Sequence, residues 1–300
     1  MKKKTYLFAL MAMALTLGSC SDNENGIGGE TSKYITVSTS IGNMTRVATD
    51  EKGGQTFEEG DEISVYAWTG DATVAPETRE RVVNNAINKL TNGSWVSTPQ
   101  MLWKNNRDKH YFIGVYPTAA ISDLSAGEYT FDETKQVESD LLVAVNKDGL
   151  SYNVDEQQPV PLTFTHVMAK LAVNLTYKNQ WGGIPTVEKV VVGNAAKEAT
   201  INYLTKVVTP STTAKEDFSL PEITENTKYV SVIIPQEEVT QLTIVIGGKN
   251  FVYDNGTPFK LESGKITTVN LEVGRDEIKL GDVKITNWED GSTFSGEALN

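Results

Sequence analysis

The 300-residue chain predicts an all-β fold built as two β-sandwich domains in tandem. Short apolar stretches alternating with period two recur through most of its length, and clusters of Gly, Pro, Asn and Asp separate them. A single segment offers a competing helical spacing. No pattern repeats at a fixed longer period, which argues against a solenoid or propeller.

The N-terminus reads as a processing segment. Lys2, Lys3 and Lys4 form a positive head, and residues 6–17 are almost entirely apolar. As a helix that run would span roughly 18 Å, short of a bilayer core of about 30 Å. Residues 1–19 therefore read as a signal peptide, outside the fold. The boundary Leu17-Gly18-Ser19-Cys20 resembles a bacterial lipobox, which is cut just before a cysteine that receives lipid. A nucleophilic thiol takes the diacylglyceryl group, and small residues before it fit the peptidase. The plainer reading is a free cysteine near an ordinary cleavage site. Several acyl chains on Cys20, at about 0.8 kcal/mol per buried CH₂, make a durable anchor. Residues 20–33 are rich in Gly, Asn, Asp and Glu, bury almost nothing and read as a flexible tether.

Two domains follow, over residues 34–158 and 159–300. In YITVSTSI, Ile35, Val37, Thr39 and Ile41 share one face of a first strand. Residues 42–55 are polar, carry a Gly-Gly pair and read as a loop. EEGDEISVYAW is a turn and then a strand, with Ile63, Val65 and Ala67 on one side. RERVVNNAINKL has Val82, Ala86 and Leu90 at helical spacing, but Asn84, Asn85 and Asn88 are poor helix residues, so strand is preferred. HYFIGVYP is nearly continuous apolar sequence, as for a strand buried on both faces, and SDLLVAV is a short buried strand.

Around Pro159 and Pro161 the organisation restarts. In PLTFTHVMAKLAVNLTY, Leu162 and Phe164 hold one parity, whereas Leu171, Val173, Leu175 and Tyr177 hold the other. A slip of one residue turns every side chain over, so a bulge or break is expected between His166 and Lys170. VEKVVVGNA, KYVSVIIP, QLTIVIGG, NFVYD, KITTVNLEV and DVKITNW complete the second sandwich.

Composition narrows the function. A net charge of −12 speaks against nucleic acid as a partner, which would call for a basic footprint. One cysteine gives no disulfide framework and no thiolate metal site; two histidines, His110 and His166, cannot build a His-rich one. No nucleophile elbow, zinc-protease helix or phosphate loop is present. GIGGE lies in the tether, and a calcium loop begun at Asp22 meets Lys33 where its closing carboxylate belongs. Glu58, Glu59 and Asp61 could pair for glycoside hydrolysis, although a solvated turn is the simpler reading. His166 could be a base or ligand, against the commoner core or bulge histidine. Trp68, Trp95, Trp103, Trp181 and Trp288 could stack sugars, but β-sandwiches also bury such rings. No enzyme, no cofactor and no metal are expected.

Several motifs taken together resemble the fimbrillin family of type V pilins and their accessory lipoproteins, found in gut and oral Gram-negative anaerobes. They are FEEGDEISVYAW (57–68), MLWKNNRDKHYFIGVYP (101–117), SDLLVA (139–144), VPLTFTHVMAKLAVNL (160–175) and VKITNWEDG (283–291). Their order and the lipobox carry the likeness, which spans most of the mature chain. Asp22 and Glu24 after Cys20 also resemble a surface-export signal of that bacterial group, against an ordinary acidic tether.

The resemblance implies two transthyretin-like, Greek-key sandwiches and an outer-membrane surface lipoprotein, in the fimbrium if assembled. It also implies a protease specific for Arg or Lys that cuts beyond the first strand. Loop 42–55 contains Arg46, and a cut before Val47 removes Cys20 and strand 34–41 together. Other pilin subunits are then the partners, by β-strand addition into the vacated groove. Val283 and Ile285 in DVKITNW mark a donor strand. An uncut Arg46, a plain loop arginine, would fit an anchor or accessory subunit that keeps its lipid. A tip adhesin facing a host protein or glycan fits the family too. The alternatives are a surface glycan-binding lipoprotein of a polysaccharide-uptake system and a lipid-anchored hydrolase.

Overall fold

The structure is a computed structural model that describes residues 33–42, 56–152, 158–254 and 258–288. Cys20, Arg46 and Val47 lie outside the described residues. The chain is all-β, as its alternation predicts. The first strands are β1 (Val37–Ile41), β2 (Glu62–Thr69), β3 (Arg81–Thr91), β4 (Ser94–Thr98) and β5 (His110–Tyr116). Next come β6 (Gly127–Thr130), β7 (Leu142–Leu150), β8 (Val160–His166) and β9 (Ala169–Tyr177). After them lie β10 (Val187–Ala196), β11 (Glu198–Asn202), β12 (Val207–Pro210), β13 (Lys215–Ser219), β14 (Glu222–Thr224) and β15 (Lys228–Ile233). The last are β16 (Gln236–Val239), β17 (Gln241–Ile246), β18 (Lys249–Tyr253), β19 (Phe259–Leu261), β20 (Lys265–Val273) and β21 (Ile278–Asn287).

A seven-stranded sheet runs β1-β8-β7-β5-β2-β3-β4. Its central strands are buried on both faces, which explains their nearly unbroken apolar runs. On β2, Ile63, Val65 and Ala67 join one cluster with Val37, Phe112, Leu162 and Phe164. Tyr66 and Trp68 turn the other way, into a larger cluster with Ile113, Val115 and Val143. RERVVNNAINKL forms strand β3, and one of its asparagines, Asn85, sits at φ 56° beside a register shift against β2. Asparagine tolerates that left-handed backbone better than most residues, so the feature that weakens a helix here serves an irregular strand.

Two further sheets, β13-β10-β17-β18 and β14-β15-β9-β20-β21, contribute to the larger cluster. One supplies Val190, Val192, Leu242 and Ile244; the other supplies Leu171, Val173, Val269 and Leu271. The parity change seen in the sequence is where the chain passes between sheets: β8 ends at His166 and β9 begins at Ala169. Val167 and Met168 are buried at this crossing. Pairing also crosses the position between residues 158 and 159, since β8 adds to the first sheet and β6 pairs with β11.

Candidate functional site

β1 is held from both sides. It runs parallel to β8, with Val37 opposite Val160, Thr39 opposite Leu162 and Ile41 opposite Phe164. Val160 N–H donates to Thr36 O at 2.8 Å, and Gly42 N–H donates to Phe164 O at 2.7 Å. On the far side, Ile35 N–H donates to Met101 O at 2.9 Å, and Trp103 N–H donates to Lys33 O at 3.1 Å. Residues 101–103 lie shortly after β4, the opposite end of the sheet. The β1 segment thus bridges the two ends of the seven-stranded sheet, with its apolar face turned inward.

Period-two alternation decides which β1 side chains enter. Ile35 and Val37 are buried, Thr39 and Ile41 are half-buried, and Thr36, Ser38 and Ser40 are exposed. Trp95 on β4 reaches across, its indole Nε1 donating to Thr39 Oγ1 at 3.0 Å. Phe57 lies edge-on to Trp95, Tyr116 and Phe164, with centroids 5.1–5.4 Å away. At 1.5–3 kcal/mol for each fully buried side chain, Ile35 and Val37 together contribute about 3–6 kcal/mol. Taking β1 away exposes that apolar surface and leaves β8 backbone groups unpaired.

The other strand marked in the sequence is β21, at the edge of its sheet. Val283 pairs opposite Val269 and Ile285 opposite Thr267, so both are engaged with β20 of the same chain. Their side chains are 37% and 40% exposed. Beyond them Trp288 is buried, its ring stacked on His166 at a centroid distance of 4.1 Å and an interplanar angle of 8°.

His166 is a packed histidine, its Nδ1 lying 2.7 Å from Asp140 Oδ1. Lys170 Nζ stands 4.2 Å from the Trp288 ring centroid. Burial pushes the Lys170 ammonium below its ordinary pKa, and the nearby Asp140 charge opposes that shift. The other histidine, His110, takes the Lys104 N–H on Nε2 at 3.1 Å and faces Asp108 O through Nδ1 at 3.1 Å. Desolvation lowers its pKa, favouring the neutral ring. Glu58, Glu59 and Asp61 serve a turn: Asp61 accepts the Glu58 N–H at 2.7 Å, and Glu59 accepts the Asn92 N–H at 2.7 Å.

The tryptophans do not share one platform. Trp68 and Trp288 are buried, while Trp95, Trp103 and Trp181 are half-buried against the two clusters. Trp68 and Trp103 border one groove, where the Trp68 Nε1–H is committed to Asp71 O at 2.9 Å. Among the described residues, no group of three or more His, Cys, Asp or Glu side chains could hold a metal ion. No helix among them is long and apolar enough to cross a membrane.

Sequence reasoning identified β1 and its inward face but not its neighbours. Alternation reports which side chains face inward and carries no information on which strand lies alongside. The His166–Trp288 contact was equally invisible, because it joins residues far apart in the chain.

Comparison with known proteins agrees with this architecture. The sequence profile of the fimbrillin-like family matches residues 45–288. The candidate fimbrium subunit Fim1C of Bacteroides uniformis is 24% identical over 316 aligned positions, covering 97% of each chain. A crystal structure of a candidate cell-adhesion protein from Bacteroides uniformis superposes with TM-score 0.63 at 18% identity, covering 86% of this chain and 100% of that one. Another candidate cell-adhesion protein, from Bacteroides ovatus, gives TM-score 0.65 at 17% identity, covering 85% and 98%. At such identities the two structures speak to the fold alone.

Proposed function

The chain belongs to the fimbrillin-like family, and from that premise we propose that it is a lipid-anchored fimbrial subunit whose first strand is exchanged for a strand of another subunit. The family is one of fimbrial and adhesion proteins rather than enzymes, and its members act in appendages at the cell surface. The finer reading places the precursor at the outer membrane through lipid on Cys20. A protease cuts between Arg46 and Val47, which releases Cys20 and β1 together. A donor strand bearing Val283 and Ile285 then fills the groove beside β8 in the next copy. The division into two domains, over residues 34–158 and 159–300, belongs to the same reading.

The observation that supports this most is the placing of the β1 segment between β8 and residues 101–103. It is the first described strand, it bridges the two ends of a sheet, and its loss opens an apolar slot with free backbone groups on both sides. A segment in that position can be replaced in kind by an alternating strand from elsewhere.

Treatment of the intact lipoprotein with a trypsin-like protease tests the reading. N-terminal sequencing is expected to return Val47, and the cut chains are expected to form ladders that survive mild denaturant. A chain cut at that position that stays monomeric would sink the polymerising version, leaving the anchor, tip or glycan-binding readings.

A further inference from the structure

From Ile278 to Asn287 no β21 side chain is buried, yet Trp288, one residue further, is. The strand also divides in two. Its ladder with β20 shifts register between the Leu271–Leu280 and Val269–Val283 pairs, with Gly281 and Asp282 at the irregularity. Before the shift, Ile278 and Leu280 pack against the larger core. After it, Val283 and Ile285 are exposed and the strand lies at an open sheet edge. Residues 283–287 are therefore held by their ladder, by the Lys265 ammonium donating to Asn287 Oδ1 at 2.6 Å, and by whatever fixes Trp288.

Trp288 is fixed mainly by stacking. His166, oriented by Asp140, lies flat on the indole, and the Lys170 ammonium stands over the same ring. The Trp288 backbone N–H donates to Gly264 O at 3.1 Å. Its buried indole N–H finds no acceptor among the described residues. Such a donor regains hydrogen bonds when it returns to water, so the dock favours release more than a fully bonded one would. The dock itself is carried by β8 and β9, not by the strand it restrains.

The geometry points to Trp288 as a reversible pin: docked, it keeps residues 283–287 on their own subunit, and undocked, it lets this half-strand peel back to the irregularity at Gly281 and Asp282. Peeling presents Val283 and Ile285 to a second copy of the chain. That last step rests on the strand-exchange reading; the peeling does not.

Amide exchange in the full-length, uncut monomer tests the pin. Trp288→Ala is expected to speed exchange across residues 283–287 about 100-fold, while residues 278–280, β9 and β17 change by less than about threefold. Lys170→Met keeps the apolar stem, removes the ammonium and is expected to give about a tenfold rise in the same residues. Unchanged protection of 283–287 in both variants overturns the proposal. So does a rise shared equally with β9 and β17, which would make Trp288 an ordinary core residue; if Trp288→Ala does not fold, Lys170→Met decides between these outcomes. Assembly of the cut chain is scored separately. Confined opening without assembly keeps the pin and drops the exchange reading, and assembly without confined opening does the reverse.

Discussion

Gly114 faces the interior of the first cluster, and a Cβ there would fall 2.6 Å from Phe164 Cζ. Phe164 cannot move freely, since Phe57 packs edge-on against it and β8 carries its backbone. Overpacking of this kind costs about 1–3 kcal/mol, so Gly114→Ala should lower the urea midpoint by a corresponding amount. Trp95→Phe removes one hydrogen bond to Thr39 and should cost about 1 kcal/mol, felt first at β1. Urea unfolding and amide exchange of residues 35–41 measure both. Neither contact can be read from the sequence, because a glycine in an apolar run does not say which ring needs its space. His166 shows the same limit: its place at a parity change was legible, but Asp140 and Trp288 as its partners were not.

At the scale of the strand, parity is what the sequence specifies well. Val37 is buried and Ser38 is exposed, one residue apart. Val37→Asp places an unpaired carboxylate in the slot beside Val160 and Leu162, whereas Ser38→Asp leaves it in water. The first change should loosen β1 and make residues 33–42 sensitive to a nonspecific protease. The second should leave cleavage unaltered. β3 was legible as a strand through its asparagines, and the crossing at Val167 and Met168 through the flip in parity. The parallel pairing of β1 with β8 and of β9 with β20 was not, since a period of two fits either direction.

Across the whole molecule, the larger cluster joins Tyr66 and Trp68 of the first sheet to Val192, Leu242 and Val269 of the later sheets. Half-buried tyrosines pack against that mass. Desolvation pushes Tyr129 up to about 12, and Tyr177 likewise up to about 12. In both the fold favours the neutral phenol. Their contribution is thus complete below the ordinary tyrosine pKa of 10.0 and is lost as pH rises from there towards about 12. Thermal melts taken across that window should show a falling midpoint, with tyrosinate absorbance appearing together with unfolding. A constant midpoint would remove these phenols from the stability of the fold.

The most direct test of strand exchange follows the β8 amides through cutting and assembly. Val160 N–H points at the β1 segment, and by strand alternation Leu162 and Phe164 point the same way. These three amides are expected to be protected in the intact chain, to exchange rapidly once residues up to Arg46 have been removed, and to become protected again when cut chains join. Amides that stay protected after β1 has left, or stay exposed in assembled chains, would contradict it.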